Sequence, residues 1–128
     1  MKIRDCNLKD DYGVIQLTDN VFDIARKIQK IKYGIVLEDG KPVGIITPND
    51  LIDKVLVNQK NPTSTSAKDI MSSPVTVIKA DEDLKVASQI MTKNKYYSLP
   101  VVEANGKLMG LLTVHDVLTN MRSSKKSK

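Results

Sequence analysis

The sequence predicts an α/β fold of α+β character: two β-α-β-β-α repeats with pseudo-twofold symmetry, forming two small sheets flanked by helices. Three observations lead there. The first is internal repetition. GKPVGIITPNDL, from Gly40, lies over GKLMGLLTVHDV, from Gly106, so that Gly44 and Gly110, like Asp50 and Asp116, stand 66 positions apart. The second is that short β-branched runs alternate with amphipathic helical stretches. The third is size. A chain of 128 residues makes one modest core, and a repeat of about 55–60 residues buries too little apolar surface to stand well alone, so the two copies should pack together.

The elements follow in order, most clearly in the second copy. PVTVI (Pro74 to Ile78) is a β-branched run. DEDLKVASQIMTK has acidic residues in its first turn and an apolar helical face at Leu84, Ala87, Ile90 and Met91. LPVV (Leu99 to Val102) and KLMGLLT (Lys107 to Thr113) are strands joined at Ala104-Asn105-Gly106, and a last helix starts near Val114 and runs towards Met121. The first copy repeats this with YGIVL (Tyr33 to Leu37), a turn at Asp39-Gly40, PVGIIT (Pro42 to Thr47) and a helix over Asn49 to Val57. VIQLTDNV (Val14 to Val21) matches VIKADEDL (Val77 to Leu84) at an offset of 63, which leaves the first copy three residues short. The expected place for that deletion is the end of its helix. The polar stretch NQKNPTSTS, Asn58 to Ser66, reads as the joint. The division is then residues 1–60 for the first repeat, 61–121 for the second, and 122–128 for a basic, disordered tail.

Composition narrows the function classes. With no Trp and one Phe, the core is built from Ile, Val, Leu and Met. No apolar run approaches the roughly 20 residues a membrane span needs, and MKIRDCNLKDD is not a signal segment. The single cysteine, Cys6, cannot form an intrachain disulfide, and the expected compartment is the cytoplasm. The net charge of +5 suggests nucleic acid, but Arg122, Lys125, Lys126 and Lys128 carry most of it. Of 20 basic residues, 16 remain without these four, against 15 acidic ones. There is no glycine-rich phosphate loop, no metal-ligand cluster around the lone His115, and no repeated Cys/His or Ser/His pair, so an enzyme is not expected.

One chemical pattern occurs twice: Thr47-Pro48-Asn49-Asp50 and Thr113-Val114-His115-Asp116. As local structure each is a capping box, with Thr at the N-cap, Asp at the third helical position and, in the first copy, Pro at the first. As a ligand site the same helix start offers N–H groups and a positive dipole end to phosphate, and a carboxylate to the hydroxyls of a ribose. An aspartate facing phosphate would repel it, so this geometry needs Asp50 and Asp116 on ribose, with Thr47 and Thr113 nearer phosphate. The two readings are compatible.

The ordered set of motifs in the second copy resembles the cystathionine β-synthase (CBS) domain: the D-I-M opening (Asp69 to Met71), the L-x-x-A helix (Leu84, Ala87), the L-P-V-V strand, the N-G-K turn and the G-h-h-T-x-x-D ending. The first copy departs from it in IRDCN (Ile3 to Asn7), in Ile24, and in Gly34 standing where Pro100 does, but its G-I-I-T-P-N-D ending is complete. The resemblance implies a tandem CBS pair, or Bateman module, that binds AMP, ADP, ATP or S-adenosylmethionine in clefts between the repeats. It implies no obligatory cofactor, a homodimer formed through the helices, and regulation of a separate effector protein without chemistry of its own. It places Asn49 and His115 beside ribose, Lys32, Tyr97 and Ser98 near phosphate, and Ile45 and Leu111 against the adenine face. It also leads one to expect unequal clefts, since Gly34 loosens the backbone of the first copy. The alternatives are a nucleic-acid-associated regulator using the basic tail and a dimerisation module without ligand.

Overall fold

The computed structural model describes residues 1–8, 12–31, 33–73 and 75–126, with residues 122–126 described as backbone alone. The chain forms two compact units, Asp11–Val75 and a second one assembled from Met1–Asp10 with Thr76–Lys128.

In the 11–75 unit the elements are β1 (Gly13–Ile15), α1 (Val21–Ile31), β2 (Gly34–Glu38), β3 (Lys41–Ile46), α2 (Pro48–Leu51) and α3 (Ala67–Ile70). α2 runs on into a π-helical turn, Ile52–Leu56, closed by the Val57 N–H donating to the Ile52 carbonyl (2.9 Å). β2 is the middle strand, parallel to β1 and antiparallel to β3. Asp39 and Gly40, at φ 55° and 79°, make the two-residue hairpin loop whose backbone twist suits paired strands. The core gathers Ile15 from β1, Val21, Ile24 and Ile28 from one face of α1, Val36 and Ile46 from the sheet, Val55, and Ala67 and Ile70 from α3.

The second unit repeats the plan with β4 (Ile78–Lys79), α4 (Leu84–Asn94), β5 (Ser98–Val102), β6 (Leu108–Thr113) and α5 (Val114–Lys126). β5 is the middle strand, again parallel to one neighbour and antiparallel to the other. α4 is capped by Asp83, whose carboxylate accepts from the Lys85 N–H (2.8 Å), and ends at Lys95 in the left-handed conformation (φ 58°). Leu84, Ala87 and Met91 on its inner face join Leu99, Val101, Leu112 and Val117 in the core, completed by Ile3 and Cys6 from the amino-terminal segment.

The repeats of the sequence and the compact units are therefore cut differently. Each sheet receives the segment that leads into the other repeat. In one unit the N–H groups of Ile3 and Arg4 donate to the carbonyls of Glu82 and Ala80 (2.9 and 2.8 Å). In the other, the N–H groups of Ala67 and Lys68 donate to the carbonyls of Asp19 and Leu17 (2.9 and 3.2 Å). These are corresponding bonds in the two copies.

Four expectations change. The stretch 58–66 is not a free joint: Val21 and Phe22 at the start of α1 donate to the Thr65 and Pro62 carbonyls (2.9 and 3.3 Å), which ties the stretch to the 11–75 unit. Regular strand in the run ending at Ile78 is limited to Ile78–Lys79, and Pro74 lies outside the described residues. The backbone of α5 stays helical past Met121 to Lys126, into the segment expected to be disordered. Finally, α1 and α4 both have 11 residues, so the first copy is not short at its helix end. Its shorter pieces are the link from α1 to β2 and the two-residue hairpin loop, against Ala104-Asn105-Gly106 in the second copy.

That shorter hairpin also moves Gly34. Ile35 pairs with Ile45 as Pro100 pairs with Leu111, and Gly34 pairs with Ile46 as Leu99 pairs with Leu112. Gly34 thus occupies the place of Leu99. A Cβ there would run into Ile15 Cδ1 and lie 3.1 Å from the Ile46 carbonyl oxygen. The glycine lets Ile15, Ile28 and the Ile46 carbonyl pack close against β2.

Candidate functional site

The two Thr-x-x-Asp segments begin α2 and α5 directly after the last strand of each sheet, so sheet and helix together set the direction of each carboxylate. In the first copy the Thr47 N–H and hydroxyl both donate to Asp50 Oδ2 (2.8 and 3.2 Å). In the second the Thr113 N–H and hydroxyl donate to Asp116 Oδ2 (3.2 and 2.7 Å), and the Asp116 N–H donates back to the threonine oxygen (3.2 Å). Both capping boxes are real. One carboxylate oxygen of each aspartate is locked by its threonine, and the other points away from the cap.

The outer oxygens differ. Asp50 Oδ1 meets the ammonium of Lys54, one helical turn on, at 3.4 Å. The same ammonium donates to the Ile70 carbonyl at the end of α3 (2.9 Å). In the second copy the residue one turn on is Asn120, whose amide donates to the backbone carbonyl of Asp116 (2.7 Å), away from the carboxylate. Among the described residues, Asp116 Oδ1 has no partner.

The other candidates fall into two groups. Strand register sets Ser98 opposite Thr113, and the Tyr97 carbonyl accepts from the Val114 N–H (2.9 Å), so both residues stand at the α5 start. The Tyr97 side chain is exposed there and His115 is exposed beside Asp116. Leu111 is buried, Ile45 half-buried. In the first copy Asn49 directs its amide along the helix to Asp53 (3.5 Å), and Lys32 lies outside the described residues. Sequence reasoning passed over Lys54, although its position four residues after Asp50 is an ion-pair spacing. It also passed over Ser72, which exchanges backbone hydrogen bonds with Ile45 (3.0 and 3.4 Å) and so fixes β3 beside the helix start. No sequence signal marks that bridge. In the second unit the buried Cys6 thiol is pushed up by burial, and the negative charges of Asp5 and Asp116 add to the effect.

Among the described residues no group of His, Cys, Asp and Glu is placed to hold a metal ion, and no helix is long and apolar enough to cross a membrane.

Comparison with known proteins identifies the family and the fold. An uncharacterized protein of Methanopyrus kandleri is 39% identical over 104 residues, 79% of this chain and 53% of its own length. The chain thus spans about half the length of that relative. Among solved structures, a CBS domain protein of Pyrobaculum aerophilum complexed with AMP superposes with a TM-score of 0.80 at 18% identity, covering 96% of this chain and 99% of that one. The cytosolic domain of the Mg2+ channel MgtE in complex with ATP gives 0.75 at 25% identity, over 88% of this chain and 46% of that one. The CBS domain profile matches twice, at residues 3–57 and 67–123, and the chain belongs to the CBS domain family as a tandem pair.

Proposed function

We propose that the chain is a non-catalytic regulatory module that binds an adenosine nucleotide (AMP, ADP or ATP) or an adenosyl compound such as S-adenosylmethionine, and that it passes this occupancy to a partner protein. The observation that carries the proposal is the duplicated carboxylate at the helix start. In both copies Oδ2 is locked by two threonine donors, which fixes the direction of Oδ1. A pre-aimed carboxylate is an acceptor suited to the paired hydroxyls of a ribose, and charge-assisted bonds of this kind are among the stronger hydrogen bonds. The threonine hydroxyls already give their proton to the aspartate, so contact with phosphate requires them to turn it outward. Two family members solved with AMP and with ATP support the choice of ligand class.

Thermal melting tests it. AMP, ADP, ATP, S-adenosylmethionine and NAD are each compared with buffer, in the wild-type chain and in Asp116→Ala. A ligand at about 100 times its dissociation constant adds about 2.7 kcal/mol, a rise of roughly 10 °C for a chain of this size. The expected result is a rise with at least one adenosyl compound that is lost in the variant. Folded protein unmoved by all five ligands would end the proposal.

A second reading, association through helical faces, is favoured by apolar exposure. Phe22 and Arg26 on α1, with Leu51, Ile52 and Leu56, line a groove of about 540 Å³. In the other unit Tyr97, Val114 and Leu118 line one of about 300 Å³ with Met91 of α4. Leu56 and Leu118 are 66% and 64% exposed, a cost unless something covers them. If helical faces pair two chains, Leu56→Glu with Leu118→Glu gives a monomer by light scattering where the wild type gives a dimer. A monomeric wild type ends this second reading.

A further inference from the structure

Resting on the nucleotide reading above, we propose that the two helix starts are unequal ribose receptors and that Lys54 makes them so: Asp116 stands open, while Lys54 occupies the outer oxygen of Asp50 and lowers ribose affinity there.

The asymmetry is local and chemical. Asp50 Oδ2 already accepts two bonds from Thr47, and Oδ1 faces the Lys54 ammonium at 3.4 Å. A ribose hydroxyl reaching Asp50 must therefore displace a cation or share the oxygen with it. The ammonium is not free to leave at no cost, because its second bond to the Ile70 carbonyl (2.9 Å) holds it in place. Water screens the pair only in part, since the Asp50 side chain is 17% exposed. At the other helix start the residue in the place of Lys54 is Asn120, whose amide is spent on a backbone carbonyl (2.7 Å). Among the described residues nothing holds Asp116 Oδ1, so a ribose there displaces no described partner. The capping boxes are alike in threonine and aspartate, so the residue one turn into the helix is what separates them.

Calorimetric titration of the full chain with AMP, and separately with adenosine, tests this. Adenosine lacks phosphate and reports the carboxylate alone. Asp116→Ala should weaken the tighter AMP site by about tenfold or more, while Asp50→Ala leaves that site within about twofold. Exchanging the residues one turn on should carry the property with them. Lys54→Asn should strengthen the weaker adenosine site by about two- to fivefold, and Asn120→Lys should weaken the tighter one by a similar factor, the range of a partly exposed ion pair. Lys54→Arg, which keeps the charge, should behave as wild type.

Three results overturn the inference while leaving the nucleotide reading intact. One is greater damage from Asp50→Ala than from Asp116→Ala. Another is a Lys54→Asn variant that loses AMP affinity with adenosine unchanged, which would make Lys54 a phosphate ligand. The third is a Lys54→Asn variant that melts lower without gaining adenosine affinity, which would make it a structural tie to Ile70 only. Folded wild-type protein that takes neither AMP nor adenosine overturns both.

Discussion

At Gly34 the backbone of β2 passes so close to Ile15, Ile28 and the Ile46 carbonyl that a methyl group fits only if Ile15 turns its Cδ1 away and the other two give by a few tenths of an ångström. Gly34→Ala should lower unfolding free energy by about 1–3 kcal/mol, the usual cost of overpacking a filled core, as measured by chemical denaturation. The sequence made this residue visible but misplaced it. Matching the copies through Gly40 and Gly106 slid β2 by one position, and in a strand one position exchanges the faces. The loops Asp39-Gly40 and Ala104-Asn105-Gly106 differ by that single residue. Thr47, Asp50, Thr113 and Asp116, by contrast, were legible because a capping box is a local pattern with a local geometry, and the bonds from Thr47 and Thr113 to their aspartates follow that spacing. Lys54 shows where such legibility stops. Its spacing to Asp50 can be read from the chain, whereas its bond to Ile70 joins residues brought together only by folding.

Among the elements, those with strong periodicity were readable and those held by backbone bonds were not. The inner face of α4, with Leu84, Ala87 and Met91 buried, follows from apolar spacing. The stretch 58–66 looked like a linker because it has no apolar side chain, yet its carbonyls close the start of α1. The π turn after α2 has no signature either. Two helix starts carry a pH signature. Asp69 accepts from the Ser66 N–H and hydroxyl at the start of α3, and Asp83 from the Lys85 N–H at the start of α4; these bonds hold both carboxyls below the usual range. A depressed folded-state pKa contributes stability that is present above the unfolded value, near pH 4, and lost as pH falls through the folded value. Asp69→Asn and Asp83→Asn should therefore melt below wild type at pH 7, with the difference closing at pH 2–3. A difference that persisted unchanged into acid would show that the carboxylate charge is not what stabilises these caps.

For the whole molecule, the duplication was plain in the sequence, and with it the pair of three-stranded sheets. Hidden from the sequence was the exchange of leading segments, since each of the bonds from Ile3, Arg4, Ala67 and Lys68 spans residues that no local pattern connects. A fragment of residues 11–75 retains Ala67 and Ile70 in its core, whereas one of residues 1–60 loses them. The first should show more helical circular dichroism and a more cooperative melt than the second. Equal behaviour would mean that α3 contributes little to folding.

The exchange separates the unit that is copied from the unit that folds. A gene segment encoding one repeat specifies a sheet and two helices, but the residues that close its core arrive with its twin. A solitary ancestor of such a repeat could complete itself only by trading leading segments with another chain. Mutual dependence of this kind makes either copy costly to delete, and it lets their helix starts diverge in sequence, as Lys54 and Asn120 have, while both copies are retained.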